Sequence, residues 1–393
     1  MKEADYPGRM ANINWVLHES DLCIQYPNPI AEEVLREYLL LVNRRINNGR
    51  NGLVKSTLVK RGVAALVVAA STVCVSVSGA GAEVSQIHIA QQYGLGFLPL
   101  MVMKAKGLFE KHAKEEHLDS TAKWMTLGGP AAANDALLSG SVDVISNGPP
   151  SFIIMWGRTH GTPLAISGIG PVSTLPMWLN TKNPKIHSLA DFTNKDRISV
   201  TAVKTSIPAI IMQMWAAKKW GYKDYARLDP LTTSLPHPDA MTALLSGTEI
   251  TADFSSPPYQ YLEVKHKGIH KVTTSYELMG EPATFTLLFA KNSFIKDNPK
   301  TVKALRAALI DAQNFIKKNP DEAADIYMKL GSEGGVTKQD VLDILKDPDI
   351  QFIPTPSGFM AYATFLTKVG TLKSAPKSWK DLFVEDVRGL SGS

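Results

Sequence analysis

Lys204-Thr205-Ser206 puts a cation and two hydroxyls where a strand-like run, Arg197 to Val203, gives way to a helical one, Ser206 to Lys219. A helix start exposes unbonded N–H groups and the positive end of a dipole, which together hold anions. The same residues read equally as an N-cap Ser206 beside a solvated lysine. Three other strand ends feed helix starts in this way: Thr126 into Gly128-Gly129-Pro130, Ile145 into Asn147-Gly148, and Phe254 into Ser255-Ser256. In open α/β sheets ligands bind at these carboxyl ends of strands. Tyr93 and Phe97, in the Gly-rich loop after the first strand, serve either as an apolar wall for a ligand or as packing.

Bond-making motifs are missing from the chain. There is no G-x-x-x-x-G-K-[ST] loop, no H-E-x-x-H and no G-x-S-x-G elbow, and Gly94-Leu95-Gly96 lacks the third glycine of a dinucleotide fingerprint. His266 and His270 flank Gly268 in a Lys-rich turn and read as solvated rather than metal-binding. His112 and His117, five apart, do not share a helix face. No catalytic residue, metal or cofactor is therefore expected. A carboxylate pair of the glycosidase kind is assembled only in three dimensions and is not read from spacing.

The elements that must position these residues alternate. Strands are expected at Ile87 to Ala90, Thr121 to Thr126, Val142 to Ile145 and Pro163 to Ser167. Helices are expected at Leu98 to Lys114, broken at Gly107, at Pro130 to Ser139, and after Pro149-Pro150. The pattern then recurs: strand Arg197 to Val203, helix Ser206 to Lys219, helix Pro238 to Ser246 and strand Ile250 to Phe254. Alternation of this kind implies parallel sheet built from crossover units. Ala136-Leu-Leu-Ser-Gly140 matches Ala243-Leu-Leu-Ser-Gly247, and each is followed by a short strand and a Pro-Pro pair, at Pro149-Pro150 and Pro257-Pro258. Two similarly built α/β lobes follow from this echo. After a strand at Thr284 to Ala290 the chain turns helical (Pro299 to Lys318, a start at Asn319-Pro320, Val336 to Leu345, Gly358 to Val369), and this part is expected to pack back on the first lobe. Crossings are expected at Ser173 to Leu179 and Ala283 to Leu288, and two crossings make a hinge.

Length and composition bound these readings. The chain has 393 residues, 44% apolar and 20% charged, which suits two globular domains. A net charge of +5 without a basic, aromatic-interleaved stripe does not suggest nucleic acid as a partner. Lys55 to Ala82 has a basic start, an apolar stretch from Gly62 to Val77 and a small-residue end at Ala80-Gly81-Ala82. It reads as a secretory signal peptide over 54–82, cleaved before Glu83 and too short to span a membrane. A lipid anchor on Cys74 is disfavoured by the bulky Val73 before it. Residues 1–53, which precede the signal, read as an extension from a translation start placed too far upstream. Of the 42 basic and 37 acidic residues, nine and seven fall before Glu83, which leaves +3 on the 311 residues that follow. Both cysteines, Cys23 and Cys74, lie in the removed part, so thiol catalysis is not expected and an oxidising compartment is tolerated.

From Glu83 onward the chain resembles the nitrate/sulfonate/taurine class of periplasmic solute-binding proteins that serve ABC importers. The marks are Gly-Phe-Leu-Pro-Leu followed by Lys106-Gly107-Leu108-Phe109-Glu110-Lys111, then Ala136-Leu-Leu-Ser-Gly-Ser-Val-Asp143, Ser188-Leu-Ala-Asp-Phe192, His237-Pro-Asp-Ala240, Gly247 to Pro258, and Asn298-Pro299-Lys300. Each is weak alone, and their order and spacing are fairly specific. The resemblance implies an α/β, two-lobed periplasmic binding protein type II fold: two parallel-type sheets flanked by helices, with a two-crossing hinge. Residues 83–173 with 287–393 would form one lobe and 174–286 the other. Carried onto this sequence, the ligand site would comprise Gln92, Tyr93, Gly129, Pro130, Asn147, Lys204, Thr205, Ser206, Asp253, Ser255 and Ser256, with Phe97 beside it. If Asp253 faces the cleft, it favours a zwitterion such as taurine over nitrate; if it faces away, it is silent.

The expected function is capture of a small organic anion or zwitterion in the periplasm by hinge closure, by a monomer that delivers it to an inner-membrane ABC permease. Three alternatives stand beside it: a pyrimidine-precursor-binding protein of thiamine biosynthesis, a related synthase, and a binding protein that presents its ligand to a receptor. The synthase group carries a cysteine-rich motif and works inside the cell, which a cysteine-free exported chain argues against.

Overall fold

The computed structural model describes residues 83–331 and 335–393. The expected extension and signal peptide lie outside the described residues. The described residues form ten strands and thirteen helices in two lobes. The strands are β1 (Gln86–Gln91), β2 (Thr121–Thr126), β3 (Val144–Asn147), β4 (Ile166–Thr174), β5 (Trp178–Thr181), β6 (Ile198–Val200), β7 (Thr232–Ser234), β8 (Ala252–Ser255), β9 (His270–Thr274) and β10 (Thr284–Lys291). The helices are α1 (Leu98–Lys106), α2 (Leu108–Glu115), α3 (Pro130–Ser139), α4 (Pro149–Thr159), α5 (Ile207–Trp220), α6 (His237–Ser246), α7 (Tyr259–Glu263), α8 (Ser275–Met279), α9 (Asn292–Asp297), α10 (Pro299–Lys318), α11 (Pro320–Leu330), α12 (Lys338–Leu345) and α13 (Phe359–Lys368). None of the described helices is long and apolar enough to cross a membrane.

Helix boundaries follow local chemistry. Proline stands in the first turn of α1, α3, α4, α5, α6, α10 and α11, where its missing N–H costs nothing. Gly107 separates α1 from α2 at φ 60, and Gly140 and Gly247 end α3 and α6 at φ 82 and φ 79. Asn319 precedes α11 without capping it, and its Nδ2 donates back to the Phe315 carbonyl of α10.

The two sheets share one plan. Sheet order is β2-β1-β3-β10-β4 in the first lobe and β7-β6-β8-β5-β9 in the second. In each, one strand runs against the rest: β10 is antiparallel to β3 and β4, and β5 to β8 and β9. Both sheets are therefore mixed rather than wholly parallel. The reversed strand in each is the one entering from the other lobe, so it arrives with the opposite direction. The outward crossing joins β4 to β5 between Thr174 and Trp178, inside the expected span. The return runs from β9 through α8 and enters β10 at Thr284.

The helical C-terminal part folds back on the first lobe, as its sequence position suggests. α10 packs on α1 and α2, with Leu305, Ala308, Leu309 and Ala312 buried against Leu100, Met103 and Phe109 in one core. His112 fastens this contact by bonding Asp311 at 2.8 Å and Glu115 at 2.7 Å, a structural rather than metal-binding role. Phe383 enters an aromatic cluster with Phe152 and Phe359, and the Val384 N–H donates to the Gly168 carbonyl of β4.

Candidate functional site

A cleft opens between the lobes where the carboxyl ends of both sets of parallel strands face each other. Its first-lobe wall is the loop after β1 (Gln92, Tyr93, Phe97), Gly128 and Pro130 at the start of α3, and Asn147, Gly148 and Ser151 around the start of α4. The second-lobe wall is Thr201, then Ser206, Ile207 and Pro208 at the start of α5, and His237 at the start of α6. Met177, Phe285 and Thr286, near the crossings, complete it. Four helices thus aim their N-terminal ends at one space.

The lobes stand close together. The Leu95 N–H donates to the Pro257 carbonyl across the gap at 2.8 Å. A side chain on Gly148 would come within 2.8 Å of Ile207, so glycine permits this approach. The cleft is narrow, with a cavity volume of about 30 Å³. That is room for about two waters, so a ligand must be very small or must enter a more open form.

The polar lining carries no Asp, Glu, Lys or Arg side chain. Asn147 is wholly engaged: its Nδ2 donates to Pro130 O, Asn134 Oδ1 and Ser151 Oγ at 3.1–3.2 Å, and its Oδ1 accepts from Gly148 N at 2.8 Å. Gln92 Nε2 donates to Ser146 O at 2.9 Å, which leaves its carbonyl oxygen as an acceptor. Ser151 Oγ accepts from Asn134 Nδ2 at 2.9 Å and from Asn147 Nδ2 at 3.1 Å. A hydroxyl that accepts two N–H bonds has its own proton left to give. Ser206 is the reverse case: its N–H and its Oγ–H both go to Ala202 O, at 3.1 and 2.6 Å, leaving only oxygen lone pairs. His237 is 7% exposed and stacks on Tyr259 with ring centres 5.7 Å apart, and its Nδ1 has no partner. Burial pushes its pKa down to about 4, so the ring is a neutral donor and acceptor near pH 7.

The structure brings six of the expected residues to this cleft: Gln92, Tyr93, Phe97, Pro130, Asn147 and Ser206. Gly129 lies at a lobe contact, where a Cβ would stand 3.1 Å from the Thr201 carbonyl. Lys204 and Thr205 are outside the lining. Lys204 is exposed at φ 61, two residues before the N-cap of α5. Asp253, Ser255 and Ser256 are fully buried and also outside the lining. Asp253 sits beside Glu263 of α7, whose Oε2 accepts from Asn180 Nδ2 at 2.8 Å. Burial lifts Asp253 to about 6, and burial together with the Asp253 charge lifts Glu263 well above the usual glutamate value. Asp253 therefore belongs to a buried carboxyl pair and is silent about the ligand. Ser151, Thr201, His237, Phe285 and Thr286 line the cleft without having been expected. The signal for Ser151 was its place four residues after Asn147, which sets both on one side of a helix start.

The NMT1-like family model matches residues 80–330. The chain belongs to the NMT1-like family. Among solved structures, this NMT1-like protein is similar to the alkanesulfonate-binding protein SsuA from Xanthomonas axonopodis pv. citri bound to MOPS, at 15% identity and TM-score 0.57, over 80% of this chain and 100% of that one. It is also similar to the periplasmic nitrate-binding protein NrtA from Synechocystis, at 16% identity and TM-score 0.59, over 78% and 85% of the two chains. A third is the periplasmic aliphatic sulphonate binding protein SsuA from Escherichia coli, at 17% identity and TM-score 0.53, over 73% and 86%. At these identities the likeness is one of fold, and the fold is that of periplasmic binding proteins. No curated protein sequence matches the chain.

Proposed function

We propose that this NMT1-like protein is the solute-binding component of an ABC importer, that it works in the periplasm, and that it captures a small oxyanion such as a sulfonate or nitrate. The observation that carries this reading is the convergence of four helix starts and a charge-free polar lining on one interlobe cleft. Oxyanions are held by such N–H groups without a side-chain cation. The Ser151 hydroxyl and the neutral His237 ring add donors. The names of the structural neighbours, which bind alkanesulfonates and nitrate, support the same class. With Asp253 outside the lining, a zwitterion such as taurine loses the partner proposed for its ammonium.

The mechanism is hinge closure. A ligand docks on one lobe of the open form, and the other lobe adds its helix starts and excludes water. The ligand's stronger binding to the closed form drives the shift. The closed monomer then presents its ligand to the permease. A thermal-shift screen with nitrate, alkanesulfonates, taurine, aromatic carboxylates and pyrimidines tests this. A binder at a hundredfold its Kd adds about 2.7 kcal/mol of stability. Stabilisation by an oxyanion supports the reading. Stabilisation by a pyrimidine alone overturns the ligand class, and silence from the whole panel counts against oxyanion capture.

A further inference from the structure

We infer that the protein carries a docking surface for anionic lipid headgroups, built where the far end of α5 meets α13. α5 starts at the cleft and runs for fourteen residues, so its last turn lies about 20 Å from the cleft-facing end. Residues 215–227, which hold that turn and the loop after it, carry four cations, Lys218, Lys219, Lys223 and Arg227, against one acid, Asp224. α13 adds Lys368, and residues 350–380 around it hold four lysines and no acid. All five of these cations, from α5, its loop and α13, are exposed. None of them pairs with a carboxylate among the described residues.

Aromatic rings join these cations into one patch. Trp220 meets Trp215 edge-on with ring centres 5.0 Å apart, and the Arg227 guanidinium lies 4.6 Å from the centre of the Trp220 ring. Tyr222 is 45% exposed, and the Lys368 ammonium stands 3.8 Å from its ring centre. Phe365 of α13 contacts Tyr222 and Tyr225 with ring centres 6.4 and 6.1 Å apart. The patch thus spans the two lobes, with α5 from the second and α13 from the first. An unpaired cation close to an anionic lipid surface tightens binding by about fivefold. Cations alone suit any acidic partner. The half-exposed Trp and Tyr rings among them favour lipid, because rings with an apolar body and a polar edge settle at headgroup level.

The test is cosedimentation of the full-length protein with large vesicles of phosphatidylcholine alone, or of equal parts phosphatidylcholine and phosphatidylglycerol. At low salt the mixed vesicles should bind at least about tenfold more tightly than the neutral ones, and high salt should remove most of that margin. Lys218→Gln, Lys219→Gln and Lys223→Gln together should weaken binding to the mixed vesicles at least about tenfold. The same change at Lys185, Lys195 and Lys267, exposed lysines elsewhere on the second lobe, alters net charge equally and should weaken it less than about twofold. Equal losses from the two sets reduce the effect to net charge and overturn the proposal. So does the absence of any margin for the mixed vesicles, or a margin that the patch variant keeps. Capture on immobilised poly-L-glutamate without vesicle binding assigns the patch to an acidic protein and overturns it too.

Discussion

Glu263→Gln should make this protein more stable, and increasingly so as pH rises. Glu263 and Asp253 are both fully buried, and no cation is among the groups that shift either one. The folded-state pKa of Glu263 is raised, so the fold retains a proton that the unfolded chain releases above the ordinary value of 4.5. Stability is therefore complete below pH 4.5 and is lost as pH rises toward the folded-state value. Holding one proton costs about 1.4 kcal/mol per pH unit over that interval. Glutamine needs no proton to fill the same place. Its carbonyl accepts the Asn180 Nδ2 bond that Glu263 Oε2 now takes at 2.8 Å, and its amide N–H faces Asp253. Urea unfolding of both proteins at pH 4.5, 6, 7 and 8 reads the difference. The two should be equal near pH 4.5 and then draw apart by about 1.4 kcal/mol per pH unit until the folded-state value is reached, with the variant ahead. A variant less stable than the parent at pH 7, or a gap that does not change with pH, would refute the shared-proton account.

Three further outcomes follow from the cleft. Gly148→Val places a branched side chain where a Cβ alone would stand 2.8 Å from Ile207, so the lobes should part. Small-angle scattering should show a larger radius of gyration, and calorimetry at least a tenfold loss of ligand affinity. Ser151→Ala removes the hydroxyl proton left free by its two incoming N–H bonds, and ligand affinity should fall about tenfold, the worth of one hydrogen bond to a charged group. His237, held down to about 4, resists protonation that the unfolded chain accepts below 6.5, so stability should fall as pH drops through that window. His237→Asn should flatten this acid slope in thermal melts between pH 4 and 7 and leave the slope above pH 7 untouched.

Much of the architecture was legible because it is written in local signals. Glycine stops at Gly140 and Gly247 and prolines in first turns mark helix ends directly. Strands β5 and β9 were not legible. Trp178–Thr181 is four residues long, and His270–Thr274 is polar enough to pass for a turn. Side-chain direction was harder still. Asp253 lies on a strand buried at all four positions, so the alternation that tells an inward from an outward face is missing. Lys204 stands exposed at a left-handed φ of 61, and a non-glycine residue gives no sequence sign of that. His237 lay unread in the motif that carried the resemblance. Burial, which a sequence does not display, is what makes it a neutral cleft residue.

The paired halves show how one device came to do two tasks. In the first lobe the strand–Pro-Pro unit ends β3 at Asn147 and opens α4, an eleven-residue helix whose start lines the cleft. In the second lobe the same unit ends β8 at Ser255 and opens α7, only five residues long and absent from the cleft lining. There the Pro257 carbonyl accepts the Leu95 N–H of the first lobe. A backbone carbonyl facing the other lobe cannot hold an anion but can receive a donor when the lobes meet. The repeat therefore supplies a cleft-lining helix start on one side and an interlobe contact on the other. This explains why Asn147 lines the cleft while Ser255 and Ser256, its counterparts by sequence echo, are buried beside the lobe contact.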